Sequence, residues 1–268
     1  MTTATDTAPT PADTGFNIQF RTSDQERSRR DQFVDLMRAN PMPANETLPN
    51  LGLFLNRQTL SRILFMHELY QMTRDVHGVI MEFGVRWGQT LALMANFRGM
   101  FEPYNYNKKI IGFDTFAGFP SVAQEDGQAE VVASGNYAVT EDYQAYLDAV
   151  LAFHESESPI DHIQKYELVA GDVVETVPAY FDAHPETIVA LAYFDLDLYE
   201  PTVACLRALR SRITRGSVLA FDELNHPTWP GETRGLADAL GISRFALKHV
   251  PFYPSAAFLV VDEMIDPT

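Results

Sequence analysis

The sequence predicts an α/β protein built on a mostly parallel sheet with one antiparallel strand, preceded by two helices. Three observations carry that prediction. Two short apolar runs, Ile188 to Phe194 and Ser217 to Phe221, break into the acids Asp195-Leu196-Asp197 and Asp222-Glu223. Such runs read as buried parallel strands that leave the core at their carboxyl ends. From residue 78 onward strand-like and helix-like segments alternate, which calls for right-handed crossovers in a parallel sheet. Phe245 to Val250 and Ala256 to Val261 are parted only by a short link holding Pro251 and Pro254. They read as a hairpin that supplies the antiparallel strand.

Residues 1–15 are rich in Thr, Ala and Pro and predict a disordered tail. Ser23-Asp24-Gln25-Glu26 has the form of a capping box, with Phe33, Leu36 and Met37 at helical spacing behind it. Asn40-Pro41 ends that helix. A second helix runs from about Asn56 to Arg74, with Leu60, Ile63 and Leu64 on one face. Residues 16–77 thus form a helical extension with no partner strand, suited to pack on the core, cover a site or join subunits.

The alternating α/β domain spans 78–268. Gly78 to Gly84 is the first strand, followed by a helix from Gly88 to about Met100 with Leu91, Met94 and Ala95 inward. Lys109 to Phe113 is the second strand and ends at Asp114; Tyr166 to Ala170 is the third, followed by Gly171-Asp172. The two acid-tipped runs are the fourth and fifth. Between them Val203, Leu206, Leu209 and Ile213 mark a helix that Pro201 can begin. Residues 115–158 interrupt the alternation with Gly118, Pro120, Gly127 and Gly135 before a helix from Glu141 to about Phe153, a lid-like insertion.

Composition narrows the function classes. A chain of 268 residues with 46% hydrophobic content can bury a sizeable core. Its formal net charge of −16 disfavours a nucleic-acid backbone as partner. No apolar stretch is long enough to span a bilayer and no signal-peptide h-region is present, so a cytoplasmic protein without a membrane partner is expected. Cys205 is the single cysteine, which excludes an internal disulfide and a multi-cysteine zinc site.

In open α/β sheets ligands bind beyond the carboxyl ends of the strands. Neighbouring strands lie about 4.8 Å apart, so Asp195, Asp222 and Glu223 would reach one hard cation if their strands are adjacent. Oxygen donors without sulfur or clustered imidazole suit Mg²⁺ best, with Ca²⁺ or Mn²⁺ as alternatives. The first strand ends Glu82-Phe83-Gly84-Val85-Arg86-Trp87-Gly88-Gln89-Thr90. Its glycines, Gly84 and Gly88, let a backbone approach a ligand, and the helix opening near Thr90 offers unpaired N–H groups. The spacing is G-x-x-x-G, not the G-x-G-x-x-G of a pyrophosphate cradle. Asp114 suits paired ribose hydroxyls and Asp172 an adenine amino group. Glycine turn, ribose acid and second acid in that order are the layout of an S-adenosylmethionine (SAM) site, with Glu82 at its base.

These residues resemble the macrocin O-methyltransferase family of SAM-dependent sugar methyltransferases. The likeness runs through VIMEFGVRWG (79–88), GFDTFAGFP (112–120), FDLDLYE (194–200) and Phe221-Asp222-Glu223. Within that family it is similar to the branch that methylates a nucleotide-activated deoxysugar, such as TDP-rhamnose 3-O-methyltransferases of enediyne pathways. The resemblance implies a class I SAM-dependent methyltransferase fold, Rossmann-like and seven-stranded, with a magnesium-dependent site; by analogy it implies a homo-oligomer. The chain departs from the family pattern in two places. Glu223 stands where the second acid of an Asp-Asp pair is usual, and Leu196 replaces the glycine of Asp-Gly-Asp.

The expected activity is O-methylation of a sugar hydroxyl, on a nucleotide sugar or a glycoside, in secondary-metabolite biosynthesis. Asp195 would hold metal and acceptor together, and His226 or Asp197 would take the proton. His226-Pro227 also reads as the start of a turn, and Asp197 as a helix cap before Pro201. Trp229 either stacks on a ring or pins its loop, and Arg86 either meets a diphosphate or lies on the surface. Two other functions share this pattern: a nicotinamide-dependent sugar dehydrogenase and a noncatalytic oligomerising module.

Overall fold

The computed structural model describes residues 23–262; the expected tail at 1–15 lies outside the described residues. The described residues fall into two compact units, 23–41 and 42–262. In the first, α1 (Asp24–Arg38) starts at the expected capping box: Ser23 Oγ accepts the Glu26 N–H at 3.3 Å and Glu26 Oε2 accepts the Ser23 N–H at 2.9 Å. None of its side chains is buried, so the apolar spacing of Phe33, Leu36 and Met37 builds no core here.

The second unit opens with the short α2 (Ala44–Thr47) and with α3 (Arg57–Met72), which Asn56 caps by accepting the N–H groups of Gln58 and Thr59. Phe65, Met66, Leu69 and Tyr70 form its buried face, while Leu60 and Leu64 are exposed. Then follow β1 (Val79–Phe83), α4 (Gln89–Phe101), β2 (Ile110–Asp114), α5 (Tyr143–Ser156), β3 (Tyr166–Ala170) and α6 (Val173–Ala183). The chain continues through β4 (Val189–Phe194), α7 (Tyr199–Leu209), β5 (Ile213–Phe221), α8 (Pro230–Ala239), β6 (Lys248–Val250) and β7 (Tyr253–Val260).

The seven strands lie in the order β3-β2-β1-β4-β5-β7-β6. β1 to β5 are parallel, and β7 runs antiparallel to both β5 and β6. Side chains alternate between two cores, as the period of two in a strand requires. Val79, Met81 and Phe83 face one layer with Val177, Leu206 and Leu236 of α6, α7 and α8. Ile80 faces the other with Leu69, Leu91, Met94 and Leu151 of α3, α4 and α5. Burial on both faces explains why the central strands read as unbroken apolar runs.

Several boundaries differ from the sequence reading; the strand expected from Ala256 already begins at Tyr253, so Pro254 lies within β7 and not in the link before it. Ile213 belongs to β5, where it pairs with Val189, and the preceding helix stops at Leu209. Its spacing from Leu209 mimicked a helical period, but a tight turn, in which Arg212 N–H bonds Leu209 O at 2.8 Å, intervenes. The strand expected from Phe245 begins at Lys248, because Ile242–Arg244 forms a 3₁₀ turn. The order reverses between β1 and β4, so the switch-point crevice lies at the carboxyl ends of these strands.

Candidate active site

Register sets the geometry. Phe83 pairs with Phe194, and Phe194 with Phe221, so β1, β4 and β5 end level. The ladder continues one residue further: Asp195 N–H bonds Phe83 O at 2.9 Å and Asp222 N–H bonds Phe194 O at 3.0 Å. Asp195 and Asp222 therefore emerge side by side. Both reach the same cation, the guanidinium of Arg62 from α3. Arg62 Nη2 donates to Asp195 Oδ2 at 2.8 Å, and Nη1 lies 3.4 Å from both Asp222 oxygens. Tyr193 Oη donates to Asp222 Oδ1 at 2.6 Å, and Tyr253 Oη sits 3.5 Å from the same atom.

The acids around this point are buried together. Desolvation, then the charge of Asp222, pushes Asp195 up to about 6, with Arg62 pulling it back. Burial and the charges of Asp222 and Asp195 push Glu223 up to about 8. Asp197, Glu82 and Glu232 are also raised, first by burial and then by neighbouring carboxylates. Burial opposes the charge of Arg62, but Tyr193, Asp195 and Asp222 outweigh it and hold the guanidinium above its usual range. Among the described residues, no three acids, histidines or cysteines are grouped to hold a metal ion. Glu223 points elsewhere: its Oε2 is 3.7 Å from Nδ1 of His226. That pair is also linked through the backbone, His226 N–H bonding Glu223 O at 3.2 Å.

Asp197 is 8% exposed and sits at φ +62°, a left-handed conformation that non-glycine residues rarely adopt. The preceding Leu196, where the resembled family has glycine, packs against the core of the α6–α7–α8 layer. Glu232 on α8 fixes this loop from below. Its Oε1 accepts the N–H groups of Leu196 at 3.1 Å and Asp197 at 3.4 Å, and its Oε2 accepts that of Glu223 at 3.2 Å. α8 can bring Glu232 so close because Gly231 lies against the Asp197 carbonyl, where a Cβ would stand 2.6 Å away.

Most of the residues expected to hold SAM surround the turn after β1; Asp172 lies two strands away, beyond the end of β3. Gly84 has φ +91°, and a Cβ there would collide with the Asp195 carbonyl; the glycine lets two strand ends touch. Gly88 caps α4 in a left-handed conformation, and a Cβ there would strike Leu147. Asp114 staples the turn: Oδ2 accepts the Arg86 N–H at 2.7 Å and Oδ1 the Phe116 N–H at 2.6 Å. Asp172 is the N-cap of α6, accepting the Val174 N–H at 3.0 Å. Glu82 is 2% exposed and its Oε2 has no hydrogen-bond partner, while Thr90, 3% exposed, bonds the same carboxyl group. Arg86 lies over the Tyr137 ring at 4.7 Å and near Trp87 at 5.9 Å.

The inserted segment is docked here. Phe119 and Tyr137 pack on Trp229, which is 6% exposed and so pins the loop. The buried Asp126 accepts the Tyr199 N–H at 2.5 Å. Arg62, Tyr193, Tyr253 and Glu232 were not singled out in the sequence. Tyr193 carried a signal, a polar tip two residues before the strand's acid; Arg62, on a helix 133 residues away from Asp195, carried none.

Among the described residues no helix is long and apolar enough to cross a membrane. The chain matches the macrocin-O-methyltransferase (TylF) family model over residues 65–231. No curated protein sequence matches it. Among solved structures, a crystal structure of CalS11, a calicheamicin methyltransferase, is 44% identical with a TM-score of 0.88 and covers 91% of this chain and 95% of its own. The apo structure of CalS11, described as a TDP-rhamnose 3'-O-methyltransferase in calicheamicin biosynthesis, is 42% identical with a TM-score of 0.80, covering 91% and 97%. The O-methyltransferase NovP shares the fold at 19% identity and a TM-score of 0.57, over 76% of this chain and 80% of its own.

Proposed function

Because the chain belongs to the macrocin O-methyltransferase family, we propose that it transfers the methyl group of SAM to a hydroxyl of a nucleotide-activated deoxysugar. A TDP-linked deoxyhexose is the favoured acceptor, since CalS11, which matches nearly end to end, is described in its apo structure as a TDP-rhamnose 3'-O-methyltransferase. Family membership sets aside the dehydrogenase and the noncatalytic module. The observation that carries the reading is the convergence of Asp195 and Asp222 on one cationic point at the switch between β1 and β4.

The donors at that point suit a hard divalent cation. Carboxylate oxygens from two strand ends already share one positive group. Around it Glu82, Asp197, Glu223 and Glu232 are raised first by burial and then by the charge of Asp195, joined at the last three by Asp222. Asp195 and Asp222 would hold Mg²⁺, with Glu223 joining by rotation or through water. When bound, the ion supplies Lewis-acid polarisation of the acceptor oxygen.

The chain's own residues provide the rest. Gly84, Gly88 and the start of α4 near Thr90 line the methionine side of the SAM site, with Glu82 beneath them. Asp114 receives the ribose hydroxyls, because each of its oxygens keeps a lone pair beyond its amide bond. Asp172 receives the adenine amino group. Asp197 takes the hydroxyl proton: burial and Asp195 raise its affinity for one. His226 is the second acceptor, and its contact with Glu223 makes it the less direct of the two.

A methyl-transfer assay across TDP-deoxysugars and glycosides, with Mg²⁺ and after chelation, tests the proposal. Turnover of a TDP-deoxysugar that chelation abolishes is the expected result. Undiminished turnover in EDTA removes the metal, and no turnover of any nucleotide sugar removes the acceptor class.

A further inference from the structure

Arg62 occupies the position at which a divalent ion would meet Asp195 and Asp222, and it comes from outside the strand-end loops. α3 is anchored one turn later by Phe65 and Met66, both fully buried, so the helix fixes where the guanidinium starts from. The side chain itself remains 25% exposed and is long enough to swing away. Its nitrogens bind the oxygens an incoming ion needs: Oδ2 of Asp195 at 2.8 Å and both oxygens of Asp222 at 3.4 Å. Two cations cannot share these oxygens without lying within a few ångströms of each other, where they repel.

We propose that Arg62 is a placeholder cation, holding the Asp195–Asp222 pair together until a divalent ion displaces it. The inference rests on the metal reading above and deepens it. Without a positive charge between them the two carboxylates would repel at strand ends that the backbone ladder keeps adjacent; the guanidinium relieves that repulsion. Displacement exchanges one positive charge for two, with no proton transfer. Metal then binds only the molecules in which Arg62 has left the pair, so its apparent dissociation constant is the intrinsic one divided by that fraction.

Titration calorimetry of the full chain with Mg²⁺, without substrate, tests this on the wild type, Arg62→Met and Arg62→Lys. Arg62→Met is expected to bind Mg²⁺ roughly tenfold more tightly or better, and Arg62→Lys to stay near the wild type. Thermal melts in EDTA and in saturating Mg²⁺ provide the second readout. Arg62→Met is expected to gain more from Mg²⁺ than the wild type does, because only its apo form lacks the bridging charge. A wild type that binds Mg²⁺ and an Arg62→Met that binds no more tightly, with an equal gain on melting, overturn the placeholder and leave the metal reading intact. Absence of Mg²⁺ binding by both proteins at millimolar concentration overturns the metal reading as well.

Discussion

Glu232 Oε2 accepts the backbone N–H of Glu223 at 3.2 Å, while its other oxygen holds the amides of Leu196 and Asp197 on the neighbouring strand end. One buried carboxylate on α8 thus ties the exits of β4 and β5 together and sets the separation of Asp195 and Asp222. Glu232→Ala would leave these buried donors without an acceptor, at about 1–3 kcal/mol for each amide that water does not reach. The expected outcome is a lowered urea midpoint together with a loss of methyl transfer. Glu232→Gln keeps one acceptor oxygen and should lose about half as much. A Glu232→Ala protein as stable as the wild type would show that the loops hold themselves.

Asp222 takes side-chain hydrogen bonds from Tyr193 and Arg62, neither of which is assigned to SAM. Asp222→Ala is expected to abolish methyl transfer while the SAM dissociation constant stays within a factor of about two. Calorimetry with SAM beside a turnover assay separates the two effects. Full activity in Asp222→Ala would remove the shared-cation site.

Asp114 is bonded to two turn amides, so its removal acts on SAM twice: it deletes the ribose acceptor and frees the turn after β1. A hydrogen bond involving a charged group contributes about 1.5–3 kcal/mol, which corresponds to a SAM dissociation constant raised about ten- to a hundredfold in Asp114→Ala. An unchanged constant would refute the ribose assignment.

Glu102 gives a pH prediction remote from the site. Burial works against its charge, but hydrogen bonds from Lys108 at 2.8 Å, Tyr70 at 2.6 Å and Asn105 at 2.9 Å outweigh it and lower its pKa. A depressed carboxylate stabilises the fold above its unfolded value of about 4.3, and that stability is lost as pH falls through the folded value. Urea midpoints measured downward from pH 6 should therefore fall less steeply in Glu102→Gln than in the wild type. Parallel curves would show that the network carries no net pH-dependent stability.

Much of this was legible in local pattern. β1, β2 and β4 were read to within a residue or two because each is a short apolar run, and burial on both faces leaves no polar alternation to confuse it; β3, a partly buried edge strand, was read with Gly171 marking its end. The acids at the strand ends were visible because a parallel strand must become polar where it leaves the core. α6 escaped because its start is hidden in Asp172, which the sequence offered as a ligand residue and the structure uses as a helix cap. Arg62 and Glu232 escaped for a different reason. Each acts across the fold, and nothing in the neighbourhood of a charged helical residue distinguishes a solvated side chain from one aimed at a strand end. Leu60 and Leu64, on the apolar face marked out beside Arg62, turn out exposed.

The proton acceptor separates two residues that the sequence left level. Asp197 is buried among Asp195, Glu232 and Glu223, which raise its pKa, and its left-handed backbone is held by the Glu232 clamp. His226 instead leans on Glu223, outside the contact between Asp195 and Asp222. A general base contributes about 10²–10⁴ in rate, so Asp197→Asn is expected to lower kcat by that order with SAM affinity retained. His226→Asn should lower it by less than about tenfold. The isosteric Asn keeps the shape of the loop, so a folding defect would show separately as a reduced melting temperature. A pH–rate profile completes the test: the wild type should lose activity as pH falls and Asp197 takes up a proton, and Asp197→Asn should lose that limb. Equal loss in both variants, or an unaltered acid limb in Asp197→Asn, would assign the proton to His226.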